Sequence, residues 1–332
     1  MNSIILFALY TVFSFFSYFL KLNYKISTLI IALSLAFFSG FRTGGYDIDN
    51  YQIMIDNINN SHDLELQARL LLSKDVFFLI IVDFANFLLP DYNYWPSLLL
   101  ISLLSSFFKY KTFLVFKESS VFVWLFYIIF MSATLEFSAY RACLSISILG
   151  YFMVTFANNI KSKILIVPII LGHISCAPAL LNLFLRNTQF KKHLIFLIVL
   201  LILFSIPFAK ETVLLSQRGE SYEDNLPTFF GLFFPVVVLF IYFLTTHTKS
   251  YFDVIDLNFL LFSSLSIGSL FISVGISHRL TEIAIFLLVL IFFRYFMKKS
   301  RNPFIFLPFV LFIFTLTVRM ILNGAWGALT IF

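Results

Sequence analysis

Ser277-His278-Arg279-Leu280-Thr281-Glu282-Ile283-Ala284-Ile285-Phe286-Leu287-Leu288-Val289-Leu290-Ile291-Phe292-Phe293-Arg294-Tyr295-Phe296-Met297-Lys298-Lys299 holds an apolar run with an arginine at its head and two lysines at its tail. The hydrocarbon core of a bilayer is about 30 Å thick, and an α-helix crosses it with about 20 apolar residues. Residues 280–297 meet that need. Similar runs occupy 3–20, 26–41, 120–134, 142–157, 194–209, 229–246, 257–276 and 304–322. Two further stretches are irregular. Residues 76–108 are too long for one span and are interrupted by Pro90-Asp91-Tyr92-Asn93-Tyr94-Trp95-Pro96; one broken crossing with an embedded shoulder fits them. Residues 164–185 carry Pro168, Gly172-His173 and Pro178, and predict a broken helical hairpin.

Composition agrees with this reading. The chain has 332 residues, of which 60% are hydrophobic and 12% charged, and its mean hydropathy is +0.95. A soluble domain carries roughly 25% charged residues. A soluble globular protein, a disordered chain and a disulfide scaffold are excluded. The expected fold is an all-α polytopic membrane protein. It forms a single transmembrane domain over 1–332, with about 11–12 helical segments counted from the apolar runs, some broken or re-entrant. The first 20 residues lack the basic start and small-residue cleavage site of a signal peptide, so they read as a span. Cys143 and Cys176 show no CxxC spacing and read as small core hydrophobes.

Basic residues near span ends mark the cytoplasmic side. Lys21/Lys25, Lys109/Lys111/Lys117, Lys161/Lys163, Arg186/Lys191/Lys192 and Lys298/Lys299/Arg301 are assigned there. The acidic segment 42–75, with Asp47, Asp49, Asp56, Asp63, Glu65 and Asp75, belongs outside, as does the loop 210–228. The hairpin 164–185 then enters and leaves on the cytoplasmic side, placing His173 at depth or near the outer face. Non-helical backbone survives at that depth only against protein or a water-filled cavity.

Sorted by this topology, the basic residues fall into two populations. The inner side holds fifteen, twelve of them lysine. The outer side holds eight: Arg42, Arg69, Arg141, Arg218, Arg279, Arg319, Lys74 and Lys210. Arginine within a span costs about 2.5–3.5 kcal/mol on insertion scales, so it tends to face a cavity or partner. Its planar fork suits phosphate, which it binds bidentately. Any one of these arginines could simply snorkel to the interface. Five from separate segments ending on one side, Arg42, Arg141, Arg218, Arg279 and Arg319, point to a shared outward-facing anionic site, most simply for phosphate or pyrophosphate.

Other residues offer chemistry. In Arg42-Thr43-Gly44-Gly45-Tyr46-Asp47-Ile48-Asp49-Asn50-Tyr51 the glycines permit a tight turn. Asp47 and Asp49 form a DxD pair, able to hold a divalent metal or supply a base; a helix N-cap beside solvated acids is the plainer reading. Residues 50–60 read as a surface segment with Ile53, Met54 and Ile58 toward apolar surroundings. His173 at its break could accept a proton or donate to phosphate, or be structural. Glu136 could pair with Arg141. His278 and Glu282 could orient Arg279. Asp83 reads as a helix-packing hydrogen bonder. No histidine sits at metal-ligand spacing, and there is no P-loop, GxGxxG or GxSxG. An ATP-driven pump, a nucleotide-cofactor enzyme and a serine hydrolase are therefore disfavoured.

At these residues the sequence resembles the EpsG-like, Wzy-type polysaccharide polymerases of bacterial inner membranes. Four features carry the resemblance: Arg42-x-x-Gly45-Tyr46-Asp47-x-x-Asn50-Tyr51, Arg141-Ala142-Cys143, Gly172-His173-x-Ser175-x-Ala177 and Ser277-His278-Arg279. They run from about 40 to 282 in the family's order. Ala142 stands where the family usually has glutamine, and Cys176 lengthens the histidine motif by one residue.

The resemblance implies an architecture related to lipid-linked (GT-C-like) glycosyltransferases and a reaction without metal or cofactor. Undecaprenyl-pyrophosphate-linked oligosaccharide would serve as both donor and acceptor. An acceptor hydroxyl attacks the donor's anomeric carbon, and undecaprenyl pyrophosphate leaves. The five arginines would hold the pyrophosphate, and Asp47 or His173 would act as base. A chain-length regulator would be a further protein partner; no nucleic acid is expected. The site would face the periplasm or outside.

Three rivals stay open on sequence alone. An O-antigen ligase uses the same donor. A lipid-phosphate-sugar transferase would use Asp47-Ile48-Asp49 with a metal. A flippase or transporter of a lipid-linked anionic glycan would line a pathway with the arginines, although the chain shows no inverted repeat.

Overall fold

The computed structural model describes residues 23–42, 48–61, 63–73, 75–90, 94–132, 135–136, 139–156, 164–180, 254–270 and 274–296, with a few positions elsewhere. Its elements are helical: α1 Tyr24–Gly40, α2 Ile48–Asn59, α3 Leu66–Ser73, α4 Val76–Leu88, α5 Trp95–Phe113, α6 Ser120–Phe130, α7 Tyr140–Phe156, α8 Ile166–Gly172, α9 Val254–Ser269 and α10 Val274–Phe296. Short 3-10 turns cover Leu114–Ser119 and Ile174–Leu180. No strand occurs among the described elements. The runs Trp95–Ile128 and Ile276–Arg294 are long and apolar enough to cross a membrane, and α1, α4, α7 and α9 are shorter apolar helices. The protein is an all-α membrane protein.

Local chemistry sets the helix ends. Asn23 caps α1, its side chain accepting from the Lys25 N–H at 3.0 Å. Pro96 sits in the first turn of α5, where its missing N–H would lack an intrahelical partner anyway. The apolar run from Trp95 is divided at Lys117, whose φ of 51° is the one positive value at a non-glycine among the described residues. That left-handed residue ends α5 and lets α6 turn back. The α8 helix stops at Gly172, and His173 is fully extended at φ −163° and ψ 124°.

The break expected within 76–108 falls between α4 and α5, and α5 runs on to Phe113. The buried face of α2 is Ile48, Tyr51, Ile55 and Ile58, whereas Ile53 is 60% exposed. The helical period decides this: positions three, seven and ten residues beyond Ile48 share one face, and Ile53 points away from it. Both cysteines are buried thiols.

The chain divides into two compact units, Met1–Ile174 with Leu311–Phe332, and Ser175–Val310. In the first, α1 and α5 run antiparallel. The Phe41 ring, just past α1, meets the Trp95 ring at 5.1 Å, and Ser102 Oγ donates to Ser39 Oγ at 3.2 Å. Between them Gly40 lies against the Leu99 backbone. Lipid supplies no hydrophobic drive for helix association, so close backbone approach through small residues does that work. In the second unit α9 and α10 form a hairpin laced by Ser266, Ser277 and Thr281, with Ser277 Oγ donating to Ser266 O at 2.8 Å.

A Cβ at Gly40 would lie 2.6 Å from Leu99 Cα, a backbone atom that cannot swing aside. Gly40→Ala is expected to destabilise the protein by about 1–3 kcal/mol, the range for overpacking. Thermal unfolding of the detergent-solubilised protein would read this as a lowered midpoint.

Candidate functional site

One end of the first unit gathers the chemistry. The C-terminus of α1 and the N-termini of α4, α5 and α7 meet there. Arg42 follows directly on α1, where a cation complements the helix dipole. Its side chain is buried (1% exposed), lies 4.9 Å over the Tyr140 ring and donates from Nε to Tyr140 Oη at 2.8 Å. Tyr140 in turn donates to Ser39 O at 2.5 Å. Arg42 is therefore clamped from below by the first residue of α7.

Arg141 is the next residue along, and it is placed differently. A cation at a helix N-terminus opposes the dipole, so it calls for an anion nearby. Asp75 provides one: its Oδ2 accepts from Arg141 Nη1 at 2.5 Å, and Ser73 O lies 3.4 Å from the same nitrogen. The guanidinium also stands 5.9 Å from the Phe78 ring and is 19% exposed. Tyr51 is interleaved between the two arginines. Its ring meets Tyr140 edge-on at 5.2 Å and Phe78 at 5.9 Å. Arg42 and Arg141 are thus linked through the rings of Tyr140, Tyr51 and Phe78.

The histidine break joins the same end. Gly172 packs against Ser145 Oγ and close to Phe77. Ser145 is one helical turn beyond Arg141, and Phe77 is two residues beyond Asp75. Half-buried His173 follows that contact directly. Arg42, Arg141 and the Gly172-His173 break are therefore brought together within one unit.

The other sequence-derived residues fall elsewhere. Arg279 lies in the second unit, where its Nη1 donates to Glu282 Oε2 at 2.9 Å, and His278 Nε2 stands 3.5 Å from Glu282 Oε1. Asp47, Arg218 and Arg319 lie outside the described residues. Asp83 accepts from Arg69 Nη2 at 2.5 Å, joining α4 to α3. Among the described residues no group of three or more His, Cys, Asp or Glu could hold a metal ion.

Two residues have partners that the sequence does not show. Lys109 is fully buried, and Glu136, expected against Arg141, is its partner. Lys109 Nζ also donates to Tyr127 Oη at 3.3 Å and Cys143 Sγ at 3.2 Å, and Tyr127 Oη donates to Glu136 Oε1 at 3.1 Å. Ser39 Oγ donates to the Glu136 carbonyl at 2.9 Å. Glu136 thereby ties the deep cluster to the residue that holds Tyr140 and, through it, Arg42. Neither lysine nor glutamate can be left alone in such surroundings.

The EpsG family model matches residues 25–329, so the chain belongs to the EpsG family, a polysaccharide-polymerase-like membrane family. No curated protein and no solved structure matches the chain. The family match spans both units and contains every motif quoted above.

Removing one partner of a buried ion pair strands the other charge, at a cost of about 3–5 kcal/mol, whereas apolar replacement of both is near neutral. Lys109→Met and Glu136→Leu are each expected to destabilise by about that amount, and the two together to recover most of it. A double-mutant cycle on unfolding in detergent measures the coupling.

Proposed function

We propose that the protein polymerises oligosaccharide repeat units carried on undecaprenyl pyrophosphate, at the outer face of the bacterial inner membrane. Membership of the EpsG family supports the reaction class. The observation that carries the site is Arg141. It is partly exposed, stands beside the Gly172-His173 break, and has a buried Nε without a hydrogen-bond partner among the described residues. A buried donor left unmet costs about 1–3 kcal/mol, which a bound phosphate oxygen would relieve.

The chemistry follows from charge. As the glycosidic bond to the donor lipid breaks, negative charge develops on the pyrophosphate. A guanidinium fixed in low-dielectric surroundings stabilises that charge more than it stabilises the ground state, and so lowers the barrier. Arg42, buried behind the aromatic rings, adds positive potential without contacting the ligand in this arrangement. Arg279, Arg218 and Arg319 stay candidate pyrophosphate ligands from the sequence motifs alone. Asp47 and His173 remain the bases drawn from sequence motifs, within an architecture of the lipid-linked glycosyltransferase kind.

The test is polymerisation by the purified protein in nanodiscs, using lipid-linked repeat units from a polymerase-deficient strain. Wild type should give a product ladder. Arg141→Ala should lower kcat by about 10²–10³, the loss typical of one transition-state donor. Arg141→Lys should recover only part of it, because a lysine cannot bind bidentately. An Arg141→Ala protein that folds and polymerises normally would refute the site.

A further inference from the structure

Asp75 was one acid among several in a loop by sequence. In the structure it holds a distinctive position. It is the N-cap of α4, in the extended conformation φ −141° and ψ 134° suited to capping. An N-cap aspartate ordinarily accepts from the backbone two or three residues on. Asp75 makes no such bond. Its carboxylate is turned instead to Arg141, 66 residues away in the chain, at 2.5 Å. Its side chain is 10% exposed and that of Arg141 19%, so the pair is not sealed from its surroundings.

Among the described residues, charged and titratable groups reach this end from several helices. Arg141 faces Asp75 from α7. His173 follows Gly172, which packs near Phe77 in the same first turn of α4. Tyr51 of α2 lies against Phe78. The other ionic group on α4, Asp83, is bound to Arg69 of α3.

We propose that Asp75, in place of Asp47 or His173, is the base that takes the proton of the acceptor hydroxyl, held in check by Arg141 until the donor binds. This rests on the polymerase reading above. A carboxylate paired with a guanidinium is a poor proton acceptor. A pyrophosphate offers Arg141 a more highly charged, bidentate partner. As Arg141 engages it, the hold of Arg141 on Asp75 weakens and Asp75 becomes a better base, at the moment when base is needed. The acceptor oxygen then forms its bond to the anomeric carbon, and its proton passes to an Asp75 oxygen. The bond between the anomeric carbon and the pyrophosphate oxygen breaks, and that oxygen keeps the electron pair. Asp75 returns the proton to water. The device ties proton transfer to an occupied donor site and keeps the base idle otherwise.

Azide separates this role from a purely structural one, because it attacks an anomeric carbon without needing a base. In the nanodisc assay Asp75→Asn should polymerise about 10²–10⁴-fold more slowly, the range for loss of a general base. Added sodium azide should restore release of lipid pyrophosphate and yield a glycosyl azide detectable by mass spectrometry. Asp75→Glu keeps a charge for Arg141 while displacing the carboxylate, and guards against misfolding of the asparagine variant. It should slow transfer to the acceptor while leaving transfer to azide unchanged. Polymerisation by Asp75→Asn within about threefold of wild type overturns the proposal, since general bases contribute far more. So does equal loss of polymer and glycosyl azide in folded protein, which would assign Asp75 to holding Arg141. Wild-type protein that joins no repeat units at all overturns the polymerase reading itself, and the base with it.

Discussion

Glu136, between α6 and α7, is wholly buried and is held from two directions. Its carboxylate takes the ammonium of Lys109 from α5, and its carbonyl takes the hydroxyl of Ser39 from α1. Both charged side chains are wholly shielded, so their attraction is little screened by solvent, and neither can leave without stranding the other. The turn is thereby fixed against two helices distant in sequence. The start of α7 depends on it, and α7 begins with Tyr140 and Arg141.

From that point outward the geometry is a relay of short contacts. Ser39 holds Tyr140, and Tyr140 holds Arg42. Tyr51 separates Tyr140 from Phe78, and Phe78 lies under Arg141. The rings keep the two guanidinium groups apart while offering each the negative face of a π-system, which eases the burial of like charges. Asp75 then balances the one cation that its helix dipole disfavours. An anionic ligand would enter a site whose positive charge is already positioned.

Much of the fold was legible because bilayer thickness imposes a length on apolar runs. The helices α1, α7, α9 and α10 overlap the runs 26–41, 142–157, 257–276 and 280–297 closely. The arginine motifs were also legible, since arginine is conspicuous where lysine would serve as a topological marker. Lys109 was not, because a lysine near the end of a span looks the same whether it meets water or a glutamate 27 residues later. Asp75 was hidden for a similar reason. It sits in an acidic segment whose local pattern suggests a solvated loop, and its meaning comes from Arg141, a distant residue. The face of α2 was misread because its apolar residues are too sparse to define a stripe, and the ring of Tyr51 decides which side packs.

The separation of Lys109 from Glu136 also bears on how the protein is made. The lysine leaves the ribosome first, within a helix otherwise suited to lipid. Alone in the bilayer it would carry an insertion penalty of about 2.5–3.5 kcal/mol until its partner arrives. Helix α5 therefore has reason to linger beside the translocation machinery while α6 and the following turn are synthesised. The three segments would then pass into lipid as a neutralised group. The same ion pair that positions the arginines in the finished protein thus sets an order on its biogenesis.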